Sequence, residues 1–118
     1  MDERRIILLV EDDPTQRLGV ADLVEEAGFR VIEAFSHDDA LRKLDLNGGV
    51  SVMITDVAMP GVKSGIDVVG TASELWPATL VIVLSGQRPP AKATLSPSIK
   101  FLQKPCKDSE LLALVTNS

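Results

Sequence analysis

The chain has little to stack and little to cross-link: no Tyr, one Trp, three Phe and a single Cys in 118 residues. One thiol excludes an internal disulfide framework and fits a reducing compartment. With so few aromatics, the core must come from Leu, Val, Ile and Ala. Clustered basic residues are missing as well. The net charge is -5 and Arg4-Arg5 merely flank the first apolar run. Binding a phosphate backbone depends on grouped Lys and Arg, so a nucleic-acid surface is excluded. No apolar stretch approaches the roughly 20 residues of a membrane span. Met1 to Arg5 also lacks the apolar centre of a signal peptide. The expectation is a cytoplasmic, soluble chain with no membrane segment. Its length suits one domain, residues 1–118, large enough for a real core.

What is present alternates in type. Ile6 to Val10 is a short continuous apolar run, suited to a strand buried on both faces. Asp13-Pro14 then reads as an N-cap with Pro at the first helical position. Val20, Leu23, Val24 and Ala27 follow at helical spacing, up to Gly28. Phe29 to Ala34 is a second strand, polar enough for an edge. Ser36 caps a second helix with Ala40, Leu41 and Leu44 inward, closed by Asn47-Gly48-Gly49. Further strands are expected over Val50 to Thr55, Leu80 to Leu84 and Ile99 to Leu102. Helices are expected over Ile66 to Trp76 and Asp108 to Val115. Between Gln87 and Ser98, Pro89, Pro90 and Pro97 leave room for only a short or irregular fourth helix. Five β/α repeats with short connections imply a parallel sheet covered on both faces.

Leu9-Val10-Glu11-Asp12-Asp13-Pro14 and Ile54-Thr55-Asp56-Val57-Ala58-Met59-Pro60-Gly61 share one design. Each is an apolar run ending in acid and then a Pro-containing turn. In an open parallel sheet, ligands bind outside the carboxyl ends of the strands. Carboxylates gathered there repel one another unless a cation or a cationic side chain sits among them. Lys104, in Phe101-Leu102-Gln103-Lys104-Pro105, is the basic residue at a comparable position, and Ser85-Gly86 closes the fourth strand. Each piece also has a plainer reading: a solvated helix start, a surface lysine, a simple turn.

Acid pair, lone Asp, hydroxyl and Lys-Pro, in that order, resemble the receiver domain of two-component response regulators over nearly the whole chain. The resemblance implies a flavodoxin-like (βα)5 three-layer α/β sandwich with strand order 2-1-3-4-5. It implies that Asp56 is the nucleophile, taking a phosphoryl group from a histidine kinase or a histidine phosphotransfer protein. Mg²⁺ is the implied cofactor, held by Asp12 and Asp56 directly, by Glu11 through water and by the Ala58 carbonyl. Lys104 would reach the phosphoryl group and Asp56, aimed by a cis bond to Pro105. Ser85 would donate a hydroxyl to the phosphoryl group, and Phe101 would be the switch aromatic, a role compatible with a core Phe in strand five. Such a chain catalyses only its own phosphorylation and dephosphorylation, and signals by binding a downstream protein.

Some features depart from the family pattern. The Met59 to Gly65 loop is one residue longer than the usual Met-Pro-Gly-x-x-Gly. Ser85 stands where Thr is commoner, and the interval to Lys104 is short and Pro-rich. These traits are similar to stand-alone receivers often associated with bacterial sensor histidine kinases, so a single-domain regulator is expected. They also bear on the usual signalling face of helix four, strand five and helix five. A receiver fold acting only as a phosphorylation-independent interaction module is the alternative. A haloacid-dehalogenase-type phosphatase needs a second Asp where Ala58 stands. A flavin or nucleotide site needs a Gly- or Ser/Thr-rich loop where Glu11-Asp12-Asp13 stands. Outside these motifs, His37 precedes Asp38-Asp39 at a helix start and is expected to be exposed. Cys106 is expected to be partly buried, and Trp76 to pack the third helix on the sheet.

Overall fold

A computed structural model of the chain describes residues 5–11, 13–56, 65–85, 99–104 and 106–116, with the backbone alone for 65–68 and for Ser85. The order of elements is β1 (Ile6–Val10), α1 (Pro14–Glu26), β2 (Arg30–Ala34), α2 (His37–Asn47), β3 (Val52–Asp56), α3 (Gly65–Leu75), β4 (Leu80–Ser85), β5 (Ile99–Gln103) and α4 (Asp108–Thr116). The five strands form one parallel sheet in the order β2-β1-β3-β4-β5. The expected topology therefore stands. The expected short helix between Gln87 and Ser98, and the Lys104–Pro105 bond, lie outside the described residues.

Both faces of the sheet are covered, and strand alternation divides the core in two. Leu8, Val10, Met53, Val81 and Val83 face Ala40 and Leu44 of α2 and Val69 and Ala72 of α3. Ile7, Leu9, Val52, Ile54, Ile82 and Leu84 face Ala21 and Val24 of α1 and Leu111 and Val115 of α4. This accounts for the apolar runs Ile7–Val10, Val52–Ile54 and Val81–Leu84: neither face meets water. β2, an edge strand, carries the polar pattern of an edge, with only Ala34 buried.

The caps act where the sequence places them. Asp13 accepts hydrogen bonds from the Thr15 and Gln16 amides at 2.9 and 3.4 Å, and Ser36 from the Asp39 amide at 3.1 Å. Gly48 closes α2 in the left-handed region at φ 63°.

Three expectations need correction. Ala27 is exposed and Ala21 takes its place inward, because α1 has little amphipathic contrast and its apolar spacing does not locate the buried face. β3 begins at Val52 rather than Val50, since the Val50 amide and carbonyl are engaged by the Thr79 hydroxyl instead of a neighbouring strand. His37 is not exposed: it is 1% accessible. As the first residue of α2 it is turned toward the end of β3, where its ring meets the Asp56 carbonyl.

Candidate functional site at the carboxyl edge of the sheet

Register brings the acids together. Val10 of β1 lies level with Thr55 of β3, so Glu11 and Asp56 both come one residue later. Asp56 lies level with Leu84, and Leu84 with Leu102, so Ser85 and Lys104 follow shortly after on their own strands. Four strand ends, contributed by segments far apart in the chain, thus supply one rim.

The central contact joins Asp56 and Lys104. The ammonium lies 2.5 Å from Asp56 Oδ2, with the two side chains 28% and 13% exposed for Lys104 and Asp56. Lys104 also donates to Gln16 Oε1 of α1 at 3.2 Å, so two elements hold the lysine over the carboxylate. A flexible ammonium suits this place because it acts as a point charge and can follow a charge that moves. Partial burial strengthens the attraction relative to a fully solvated pair.

Glu11 is buried at 6% exposure despite its charge. Its Oε1 accepts from the Asp13 amide at 3.2 Å, and its carbonyl accepts from Arg17 Nη1 at 3.1 Å. Arg17 is in turn fixed by Glu33 Oε1 at 3.1 Å from Nε, and its guanidinium lies 4.7 Å from the Phe35 ring centre. The turn after β1 is therefore braced from α1 and β2. Asp13, the third acid of the run, is occupied as the cap of α1.

Of the remaining expected residues, Asp12 and Ala58 lie outside the described residues, as does the Ser85 side chain. Phe101 is half-buried in β5 opposite Val83 and packs against the core on the α2/α3 face. Among the described residues no three His, Cys, Asp or Glu side chains form a metal cluster. Glu11 and Asp56 provide hard carboxylate oxygens at one edge, the donor chemistry that Mg²⁺ prefers. The donor set thus fits that ion, with Asp12 and the Ala58 carbonyl as the further oxygens proposed for it.

Sequence reasoning missed two residues around the Asp56–Lys104 pair. Gln16, in the first turn of α1, accepts from the Lys104 ammonium, which reaches toward Asp56 from just beyond β5, and no local signal marks it. His37 reaches the Asp56 carbonyl, with Nε2 3.3 Å from the oxygen.

Residues 7–116 match the response regulator receiver domain, and the chain belongs to that family. It is 33% identical to the transcriptional regulatory protein CpxR of Escherichia coli K12 over 92% of this chain and 47% of that protein. The chain spans half or less of the length of the curated relatives it matches. Among solved structures, the receiver domain from the hybrid histidine kinase CckA is 29% identical, with a TM-score of 0.79 over 95% of this chain and 96% of that one. The response regulator TrrA of Thermotoga maritima, solved in complex with Mg²⁺-BeF, is 25% identical, with a TM-score of 0.82 over 96% of this chain and 97% of that one.

Proposed function

We propose that this chain takes a phosphoryl group from a histidine kinase or a histidine phosphotransfer protein onto Asp56, in a Mg²⁺-dependent reaction. The observation that carries the reading is the Lys104 ammonium on Asp56 Oδ2 at the end of β3. An Asp56 carboxylate oxygen attacks phosphorus, and the bond from phosphorus to the donor imidazole nitrogen breaks. The electron pair stays on that nitrogen, which takes up a proton, and Asp56 is left as an acyl phosphate. Hydrolysis later returns the carboxylate and inorganic phosphate.

Phosphoryl transfer depends on positioning and charge neutralisation more than on covalent help. Mg²⁺, when bound, would neutralise repulsion between the acids and the phosphoryl oxygens; Glu11, Asp12, Asp56 and the Ala58 carbonyl are the residues proposed to hold it. Lys104 would leave Asp56 Oδ2 for a phosphoryl oxygen as negative charge shifts there. Ser85 would donate its hydroxyl to the phosphoryl group, and Phe101 would respond beside it in β5. The changed surface would then be read by a downstream protein. The activity is thus confined to the chain's own phosphorylation and dephosphorylation, and its setting is cytoplasmic, with neither nucleic acid nor membrane as a partner.

Intact-mass measurement after incubation with a small phosphodonor and Mg²⁺ tests this. One added phosphate is expected in the wild type and none in Asp56→Asn. An equal yield in the variant would move the acceptor elsewhere.

A further inference from the structure

The least expected group at the site is His37, buried behind the strand end that carries Asp56. Strand alternation puts the Asp56 carboxylate on the same face as Ile54, toward α1 and α4, where Lys104, itself held by Gln16, meets it. His37 comes from α2, on the other face. Its Nε2 lies 3.3 Å from the Asp56 carbonyl oxygen, which also receives the Thr55 hydroxyl at 3.5 Å. A carbonyl only accepts, so Nε2 must carry the hydrogen. Nδ1 is buried and has no partner among the described residues. A stranded lone pair costs less than a stranded N–H, and this selects the same tautomer.

We propose that His37 is a positioning residue for the phosphoacceptor, an inference that rests on the function proposed above. Through Nε2–H it clamps the Asp56 carbonyl, at the point where β3 ends. The peptide plane sets the direction of the Asp56 carboxylate and of the chain that follows. The residue touches neither phosphoryl group nor cation; it acts on both through Asp56.

The experiment compares wild type, His37→Gln, which can offer an N–H at the position of Nε2, and His37→Leu, which fills space without a donor. In the unliganded wild type, the ring nitrogen spectrum should show hydrogen on Nε2 and a bare Nδ1; the opposite tautomer overturns the proposal. With a small phosphodonor and Mg²⁺, the leucine variant should lose about three- to tenfold in maximal phosphorylation rate, the worth of one ordinary hydrogen bond. Its half-saturating donor concentration should stay near the wild-type value, and glutamine should restore most of the rate. Leucine matching wild type, or glutamine failing as fully as leucine, would show that the ring only fills space. If leucine prevents folding, the ring spectrum and the glutamine variant decide. If the wild type takes up no phosphate, the function proposed above falls, and Mg²⁺ titration judges the clamp. Leucine should then bind Mg²⁺ at least threefold more weakly than wild type or glutamine, and equal binding, or none in any form, overturns the clamp too.

Discussion

The two ends of the sheet are built on opposite principles. At the amino edge, polar groups find partners locally. The Thr79 hydroxyl donates to the Val50 carbonyl at 2.6 Å, the Ser51 amide to the Ile6 carbonyl at 3.0 Å and the Leu80 amide to the Ser51 carbonyl at 3.0 Å. Arg5 donates to the Val115 carbonyl at 3.2 Å and lies 4.9 Å from the Phe29 ring centre. Gly49, at φ 92°, passes under Trp76 so closely that a Cβ there would sit 2.8 Å from Cδ1. At the carboxyl edge, a buried Glu11 and the Asp56–Lys104 pair gather charge, and a buried imidazole nitrogen has no partner among the described residues. Grouped like charges and orphaned polar atoms cost stability. Stabilising contacts thus gather at one end of the sheet, and the proposed chemistry at the other.

The sharpest way to break this comparison is Lys104→Ala. Losing one prepositioned charge at a reacting centre typically costs about a hundredfold or more in rate. Phosphate incorporation followed by intact mass should fall by that order while the melting temperature moves little. A large stability loss with an unchanged rate would make Lys104 a structural tie.

The converse variant is Gly49→Ala. It combines a disfavoured positive φ with the close approach to Trp76. Destabilisation of about 2 kcal/mol is expected in urea unfolding. Phosphorylation of the folded fraction should be unaffected.

A milder test at the same end is Thr79→Val, which keeps shape and deletes the bond to the Val50 carbonyl. Leaving that acceptor without its donor should cost about 1 kcal/mol. The same urea measurement reads it, again with no change in phosphorylation.

The smallest effect concerns Asp39, an acid near the carboxyl edge that stabilises. Burial alone would raise its pKa. The hydrogen bonds from Arg42, Lys43 and the Phe35 amide, with the attraction of Lys43, outweigh this and hold it below 3.8. A folded pKa below the unfolded one adds stability that is present above the unfolded value and lost as pH falls through the folded one. Asp39→Asn should therefore flatten the acid limb of stability below about pH 4, by less than about 1 kcal/mol. An unchanged limb would mean that the Arg42 and Lys43 pairs do not persist in solution.

Much of the fold was legible because both-face burial leaves a plain trace. The apolar runs at Ile6–Val10 and Leu80–Leu84 read directly as interior strands. The polar Phe29–Ala34 run read as an edge, and Ser36, Gly48 and Gly49 marked α2. The Asp56–Lys104 pairing was legible in kind, since strand-end acids need a cation and this lysine stands at a comparable place. α1 was less legible: its weak apolar contrast suggested Ala27 where Ala21 is buried.

The sequence by itself determined the order of elements, the sheet class and the acids that end its strands, because these are written in runs, caps and turn residues a few positions long. Tertiary structure alone decided which helix-start side chains turn inward and what they meet. His37 and Asp56 are 19 residues apart, and Gln16 and Lys104 are 88 apart. No local period carries information across such distances. Those contacts exist only once the crossovers have set α1 and α2 on opposite faces of the sheet, with their starts level with the end of β3.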